Sequence, residues 1–531
     1  MSSDQDAFDV IVAGSGGGGL VAAFLAASRG LRTLVLEKTA QVGGTTAYSG
    51  AGLYFPGSAP IRRAGVEDDV EDARKYLRNL IDDPSREVLQ DAYLDAGPRV
   101  IDELERDPWF SSFVYGPVPD YYPGHPGATA AGRTIFPPEL PVAELGERAA
   151  LVRGPIPTER FGVDQGPVLV GGRALIGRAL SAFLETGHGS LELNTALDGL
   201  IVENGKVLGV EAIRDGERVT FRARRGVLLA AGGFERNAEL RARYQPPLTG
   251  EWSDGAPGNT GDALRAGIAA GAATELLDEA WFVPGVVQPD GLPLFHTGTR
   301  GGIWVNGAGE RFVNESRPYD QSGHEIVRLH ATSGVSHIPA HWVFDQRQLD
   351  RDSFGGPPDQ PVAPEWFSSG ALKKADTLAE LAALIDVPLD ALRASIERFN
   401  SFAESGVDED FHRGETPWDS MFRYVVGFPA RPEQNYPAKP TSGWPNPLVI
   451  PIDTPPYYAA TVLPSDLGTK GGLKTDEHAR VLDTGGAPIG GLYATGNTAA
   501  AMSGHVYPGA GTPIGSSIAF GYLAVLDIAG S

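Results

Sequence analysis

An α/β fold is what this sequence predicts: a parallel-sheet domain split between the two ends of the chain, with an α+β domain inserted between its parts. Three observations predict it. Near the start, an apolar run, a glycine run and an alanine-rich stretch follow in the order strand, tight turn, helix. Two later apolar runs, Gly226 to Gly233 and Gly491 to Asn497, also lead into glycines. Between these two runs lies a long stretch of different, mixed pattern.

Phe8 to Ala13 (FDVIVA) reads as a buried strand, Leu20 to Ser28 as a helix ending near Gly30, and Thr33 to Leu36 as a second strand closed by Glu37. Together they make a βαβ unit of about 30 residues, the length of a parallel crossover. Ser190 to Arg225 alternates like strands, with Asn204-Gly205 and Asp215-Gly216 as hairpin turns. Ile514 to Ile528 has the helical spacing of small and apolar residues. The expected division is 1–280 and 469–531 for the split, Rossmann-like domain and 281–468 for the insert. The insert holds a helical stretch from Thr377 to Ser401 and a proline-rich segment, 429–456. Nine of those 28 residues are proline, so the segment is neither a regular helix nor a central strand. It reads as an inert surface insertion or, with Phe428, Tyr436, Trp444 and Leu448-Val449-Ile450 nearby, as a lid or a contact with a membrane surface.

Composition narrows the function. The 531 residues are 42% hydrophobic and 21% charged, values of a soluble globular chain. No apolar run is long enough to span a bilayer, and Met1 to Asp9 is acidic rather than signal-like. The expected location is the cytoplasm, with peripheral membrane association through 429–456. A net charge of −23 argues against a nucleic-acid partner. Cysteine is absent, which excludes disulfides, thiolate-bound iron–sulfur centres and CxxC redox chemistry. The ten histidines form no HExxH or HxH cluster, so no metal site is expected. Redox chemistry would need an organic cofactor.

The glycine run supplies a place for one. Gly14, Gly16 and Gly19 form GxGxxG, with Ser15, Gly17 and Gly18 between them. In such a turn the first glycine makes the bend, the second admits a pyrophosphate, and the third lets helix pack on strand. Helix amides beyond it point at the negative charge. Glu37 ends the next strand, where an acidic side chain accepts hydrogen bonds from a ribose hydroxyl.

Past Glu37 and Lys38 comes Gly43-Gly44-Thr45-Thr46-Ala47-Tyr48-Ser49-Gly50, and later Asn259-Thr260-Gly261-Asp262 and GLYATGN. These pieces resemble the fumarate reductase/succinate dehydrogenase flavoprotein superfamily. The resemblance implies FAD, held at Gly14, Ser15, Gly16, Gly17, Gly18, Gly19, Glu37, Lys38, Gly44, Thr45, Thr46, Ser49, Gly50, Gly232, Asp262, Gly496, Asn497, Pro513 and Ile514. Some members attach flavin to a histidine in the early loop. No histidine precedes His125, so the FAD is expected to be non-covalent.

Four further pieces carry a narrower resemblance: Pro119-Asp120-Tyr121-Tyr122-Pro123, Asn314 to Gln321 (NESRPYDQ), Ser465 to Gly472 (SDLGTKGG) and Ser503 to Gly511 (SGHVYPGAG). In order and spacing, over nearly the whole chain, they look like a bacterial 3-ketosteroid Δ1-dehydrogenase. The resemblance implies Tyr319 as the proton-abstracting base, Tyr121 as its hydrogen-bonded partner, and Tyr507 with the Gly511 amide as the binders of the steroid C3 carbonyl. The implied substrates are 3-ketosteroids such as androst-4-ene-3,17-dione or cholest-4-en-3-one, with a quinone or another protein as electron acceptor. Such chemistry removes a proton from C2 and a hydride from C1. The developing enolate oxygen needs donors, and the hydroxyl and amide provide them. Glu315 and Arg317 offer an acid or a clamp but read better as a local ion pair or solvated charges, and His505 offers a base to which the resemblance gives no role. The rival activities are a 3-ketosteroid 4(5α)-dehydrogenase and a fumarate or succinate oxidoreductase. A dicarboxylate substrate is disfavoured because Ala499 to Ser517 contains no arginine.

Overall fold

The computed structural model describes residues 7–351, 354, 361–421 and 444–530. The chain divides into two compact units. The first comprises residues 1–250, 255–280 and 468–531, and the second 251–254 and 281–467.

In the first unit, β1 (Phe8–Ala13) pairs in parallel with β2 (Thr33–Leu36) on one side and with strand Glu217–Leu229 on the other. Strand Gly189–Glu192 extends the parallel sheet beyond β2, and Pro488–Ala494 extends it beyond Val227 to Leu229. The late GLYATGN run therefore closes a sheet begun almost 500 residues earlier. Helix α1 (Gly17–Ser28) is buried at every position but Ser28, as an all-apolar helix must be. It packs against helices Gly172–Glu185 and Thr512–Ala529.

The two hairpin turns form where the sequence places them. Asn204 and Gly205, and Asp215 and Gly216, all have positive φ, the pairing that type I′ turns need. One reading changes. The apolar run from Gly226 is no separate strand but the end of a 13-residue strand, Glu217–Leu229. Its first part pairs antiparallel with Lys206–Arg214, its last part with the parallel sheet. Helix Thr512–Ala529 also corrects an expectation, since it is long and apolar enough to cross a membrane, with a mean hydropathy of 1.3. Its buried contacts with α1 make it a core helix of this unit.

The second unit is built on a six-stranded sheet in the order Pro293–Phe295, Ala280–Val287, Tyr457–Thr469, Ala340–Asp345, Ile303–Val305, with Leu372–Ala375 also on Tyr457–Thr469. Residues 251–254 join this unit. Asp254 N–H donates to the Asp466 carbonyl, Ser253 to the Asp466 carboxylate and Phe295 N–H to Asp254. The stretch Thr377 to Ser401 is two helices, Leu378–Leu384 and Leu389–Ser401, not one. Asp386 has a positive φ and Pro388 caps the second helix, so the chain breaks where proline forbids continuation.

The proline-rich segment departs most from expectation. Residues 429–443 lie outside the described residues, as does Phe428. Much of the remainder from Asn446 to Ile452 is core. Leu448 and Val449 are fully buried and Ile450 and Ile452 nearly so. Asn446 donates to the Gly406 and Arg413 carbonyls and accepts from Leu448 N–H. Leu448-Val449-Ile450 therefore cannot serve as a membrane contact.

Candidate active site

The expected cofactor positions of the first unit gather around two helix N-termini. Neither α1, capped by Gly16, nor helix Thr512–Ala529, capped by Gly511, has a side-chain cap or an acidic residue in its first turn. Their positive ends are left for an external anion. They lie side by side: a side chain at Gly17 would touch Ile514, and one at Gly18 would collide with Ser517.

The glycines divide by cause. Gly14 has φ 105° and a Cβ there would strike the Ala230 backbone, so the fold itself requires glycine. Gly16 is different. A Cβ on it would meet nothing closer than Thr46 Oγ1 at 3.8 Å, so no protein atom demands glycine there. A group from outside the chain would explain it, and a pyrophosphate fits the helix N-terminus beside it.

Around this turn Gly17 N–H donates to Thr46 Oγ1 over 3.1 Å, and Gly43 N–H to Ser15 Oγ over 3.1 Å. Glu37 is nearly buried. Its carboxylate accepts from the Ser15 hydroxyl and from Thr39 N–H and Oγ1 at 2.8 and 2.9 Å. Thr45 Oγ1 accepts from Ala256 N–H and Asn259 Nδ2. Ser49 donates to the Thr46 carbonyl, steadying the loop that runs to Gly50. Gly232 packs on Asn259, Gly496 on Ser517 and Asn497 on Gly468. Gly44 has open space where a side chain would be. Lys38 and Asp262 pair with each other at 2.8 Å, with Thr260 at 2.6 Å from the ammonium. A cleft of about 470 Å³ opens beside that pair, lined also by Ala196, Leu197, Asp198 and Arg265. The set fits FAD: an open glycine turn at a helix N-terminus for the pyrophosphate, a placed carboxylate for ribose, and a cleft for the adenosine end.

The second cluster in this unit is the turn from Tyr507 to Gly511. Gly511 N–H donates to Tyr507 Oη over 3.4 Å, so the two expected carbonyl binders point to one place. Gly511 sits at φ 94°, and a Cβ there would run into the Gly52 backbone. The ring of Tyr121 lies 5.2 Å from that of Tyr507. Both are buried, whereas Tyr122 is half-buried with its ring edge-on to His125. Of the two adjacent tyrosines, Tyr121 is the one beside Tyr507.

Sequence reasoning missed what holds this turn. Tyr121 N–H and Tyr76 Oη both donate to the Pro508 carbonyl, at 3.0 and 2.7 Å. Thr134 Oγ1 donates to the Ala510 carbonyl over 2.7 Å. Tyr54 donates to Asp120 over 2.9 Å while its ring fills the space beside Gly509. Asp120 also accepts from Thr129 N–H and Arg133, and Arg133 bonds Asp68. Burial beside a second carboxylate raises the Asp120 pKa to about 6, against the pull of Arg133. Burial also pushes the Tyr54 and Tyr76 hydroxyls well up, so both are neutral donors. The signal was an aspartate inside an otherwise apolar motif, PDYYP.

Tyr319 belongs to the second unit, where it is the first residue of helix Tyr319–Thr332 behind Pro318. Its buried ring stands edge-on to Phe295 at 4.9 Å and to Trp418 at 6.1 Å. Glu315 is no acid or clamp. It accepts from Trp304 N–H, Arg311 twice and Arg413, which fills both carboxylate oxygens. Arg413 further ties Ser316 Oγ to the Thr299 and Gly302 carbonyls. Arg317 donates to the Gln321 carbonyl. These bonds fix the segment that leads into Tyr319. His505 is 67% exposed and pairs with Glu279 at 2.8 Å.

Residues 9–514 match the family described as FAD binding domain. The chain is 42% identical to 3-oxosteroid 1-dehydrogenase of Mycobacterium tuberculosis, over 98% of each chain. It is 40% identical to the enzyme of that name from Mycolicibacterium smegmatis, over 98% of this chain and 97% of the relative. Among solved structures, 3-ketosteroid Δ1-dehydrogenase from Sterolibacterium denitrificans in complex with 1,4-androstadiene-3,17-dione matches with a TM-score of 0.88. That match has 34% identity and covers 99% of this chain and 100% of the other.

Proposed function

From a chain that belongs to the FAD binding domain family and, within it, to the 3-oxosteroid 1-dehydrogenases, we propose how its residues share the 1,2-desaturation of a 3-ketosteroid A ring. The protein is a flavin-dependent oxidoreductase acting on a CH–CH group. The observation that carries the division of roles is the convergence of Tyr507 Oη and Gly511 N–H at 3.4 Å in a buried turn.

A C2 proton is weakly acidic because its loss makes an enolate at O3. The incoming ketone oxygen takes over the Gly511 N–H, which leaves the Tyr507 hydroxyl as a second donor. Both are fixed before the substrate arrives, so they stabilise the developing charge without reorganising. Tyr319 removes the C2 proton, with Tyr121 as its hydrogen-bonding partner. Bound FAD, held at the glycine turn, Glu37 and the N-terminus of helix Thr512–Ala529, supplies the acceptor for the C1 hydride.

The substrate is read as androst-4-ene-3,17-dione or cholest-4-en-3-one. The acceptor is read as a quinone or another protein, because the sequence offers no second nicotinamide motif. A peripheral membrane contact through 429–456 would leave out Leu448 to Ile450, which are buried. The decisive experiment is anaerobic titration of the holoenzyme with androst-4-ene-3,17-dione. The flavin should bleach and the product should be lighter by two hydrogens. A double bond introduced at C4–C5 of a 5α-saturated substrate, with no reaction of the 4-ene, would favour the 4(5α)-dehydrogenase instead.

A further inference from the structure

We infer that Asp120 and Arg133 are positioning residues for the carbonyl-polarising pair Tyr507 and Gly511, acting through the small sheet that binds both segments of the site. The inference rests on the roles proposed above for Tyr507 and Gly511.

The sheet has three strands, β3 (Leu53–Tyr54), β4 (Val114–Gly116) and β5 (Thr134–Phe136), with β5 in the middle. Neighbouring residues at the start of β5 serve the two segments. Arg133 grips Asp120, the residue before Tyr121, and Thr134 grips the Ala510 carbonyl, the residue before Gly511. Tyr54 on β3 makes the second link, with its hydroxyl on Asp120 and its ring against Gly509. A third link bypasses the sheet: Tyr121 N–H and Tyr76 both reach the Pro508 carbonyl. A shift of Asp120 is therefore passed to Tyr121 on one side and to the Pro508–Gly511 turn on the other.

The electrostatics single out this pair from ordinary packing. Arg133, Asp68 and Asp120 have side chains 2, 3 and 0% exposed. One guanidinium thus faces two carboxylates, and Tyr54 from β3 and Tyr76 from helix Val70–Ile81 also face Asp120. A buried ion pair is weak as a source of stability, because desolvation offsets its attraction. What it supplies here is fixed geometry, since Asp120 is held by three donors, from β3, from Arg133 just ahead of β5 and from the 120–129 loop. Protonating Asp120 weakens its grip on Arg133. Its raised pKa of about 6 puts that event within the range of an activity assay, and activity should fall as the pH drops through it.

The test compares holoenzyme variants D120N, Y54F and Y507F by kcat, KM and pH profile. D120N should lower kcat roughly tenfold to a hundredfold, as a small misplacement of reacting groups does, with KM changed far less. It should also remove the acid limb expected near pH 6 in the wild type. Y54F should lower kcat by less and keep the limb. A D120N enzyme with wild-type kcat and an unchanged acid limb overturns the inference. If D120N does not fold, Y54F decides, and wild-type kcat in Y54F then overturns it. Y507F separates the two layers: wild-type turnover in that variant would refute the proposed role of Tyr507 itself.

Discussion

At the scale of single residues, the proposed chemistry sits on hydroxyls whose ordinary ionisation is far from neutral. An unperturbed tyrosine has a pKa near 10, so a reaction that needs the Tyr319 phenolate should speed up as the pH rises above neutrality. Y319F should lose nearly all turnover while still binding FAD; retention of more than about a tenth of wild-type kcat would remove Tyr319 as the base, since general-base catalysis is worth ~10²–10⁴. The sign for Asp120 is opposite in stability. Its pKa in the folded chain is about 6, above the ~3.9 of an unfolded chain. The folded state therefore holds the additional proton between those values. This group's stabilising contribution is full below the lower value and is lost as the pH rises through the upper one. Tyr319, Tyr507 and Gly511 could be proposed from the sequence because each sits in a distinctive motif. Asp120 stood in such a motif too, but its partners Tyr54, Arg133 and Asp68 are scattered along the chain. Pattern gives no hint of a buried charge until the strands are paired.

At the scale of elements, the glycine turn is the most legible feature and also the best testable. Gly14 and Gly16 fit one motif, yet only Gly14 is demanded by protein atoms. G14A should fail to fold or lose stability, because an L side chain at positive φ meets backbone there. G16A should fold with an apoprotein melting temperature close to that of wild type, but bind FAD much more weakly. Equal FAD affinity in G16A and wild type, measured by flavin fluorescence quenching, would show that no pyrophosphate lies against Gly16. Periodicity served less well where an element changes partner or breaks. Glu217–Leu229 alternates in its hairpin half and turns uniformly apolar in its buried half, which reads as two strands. Between Leu384 and Leu389 the apolar spacing carries across the break, and only Pro388 marks it.

At the scale of the whole molecule, the split of the first unit was legible because both its early and late strands end in glycine. The fate of Leu448 to Ile450 was not. An apolar triplet amid prolines looks the same in sequence whether it faces a lipid surface or a core, and only Asn446 and the neighbouring helices decide. L448A should cost about 2–5 kcal/mol, as a large-to-small change in a packed core does; a loss below 1 kcal/mol by denaturant titration would return the triplet to the surface. FAD should stabilise the folded chain by mass action, about 2.7 kcal/mol at a hundredfold excess over Kd. A melting temperature that ignores added FAD would contradict the fit of the glycine turn.

The sheet of the first unit also sets an order in time. Once strand β1 has left the ribosome, its sheet gains Pro488–Ala494 only after nearly 480 more residues have been made. At 5–20 residues per second that delay is roughly half a minute to a minute and a half. During it the apolar helix α1 lacks the helix Thr512–Ala529 against which it packs. The nascent chain thus carries a long-lived apolar surface of the kind that chaperones cover, set by where the late strand lies in the sequence.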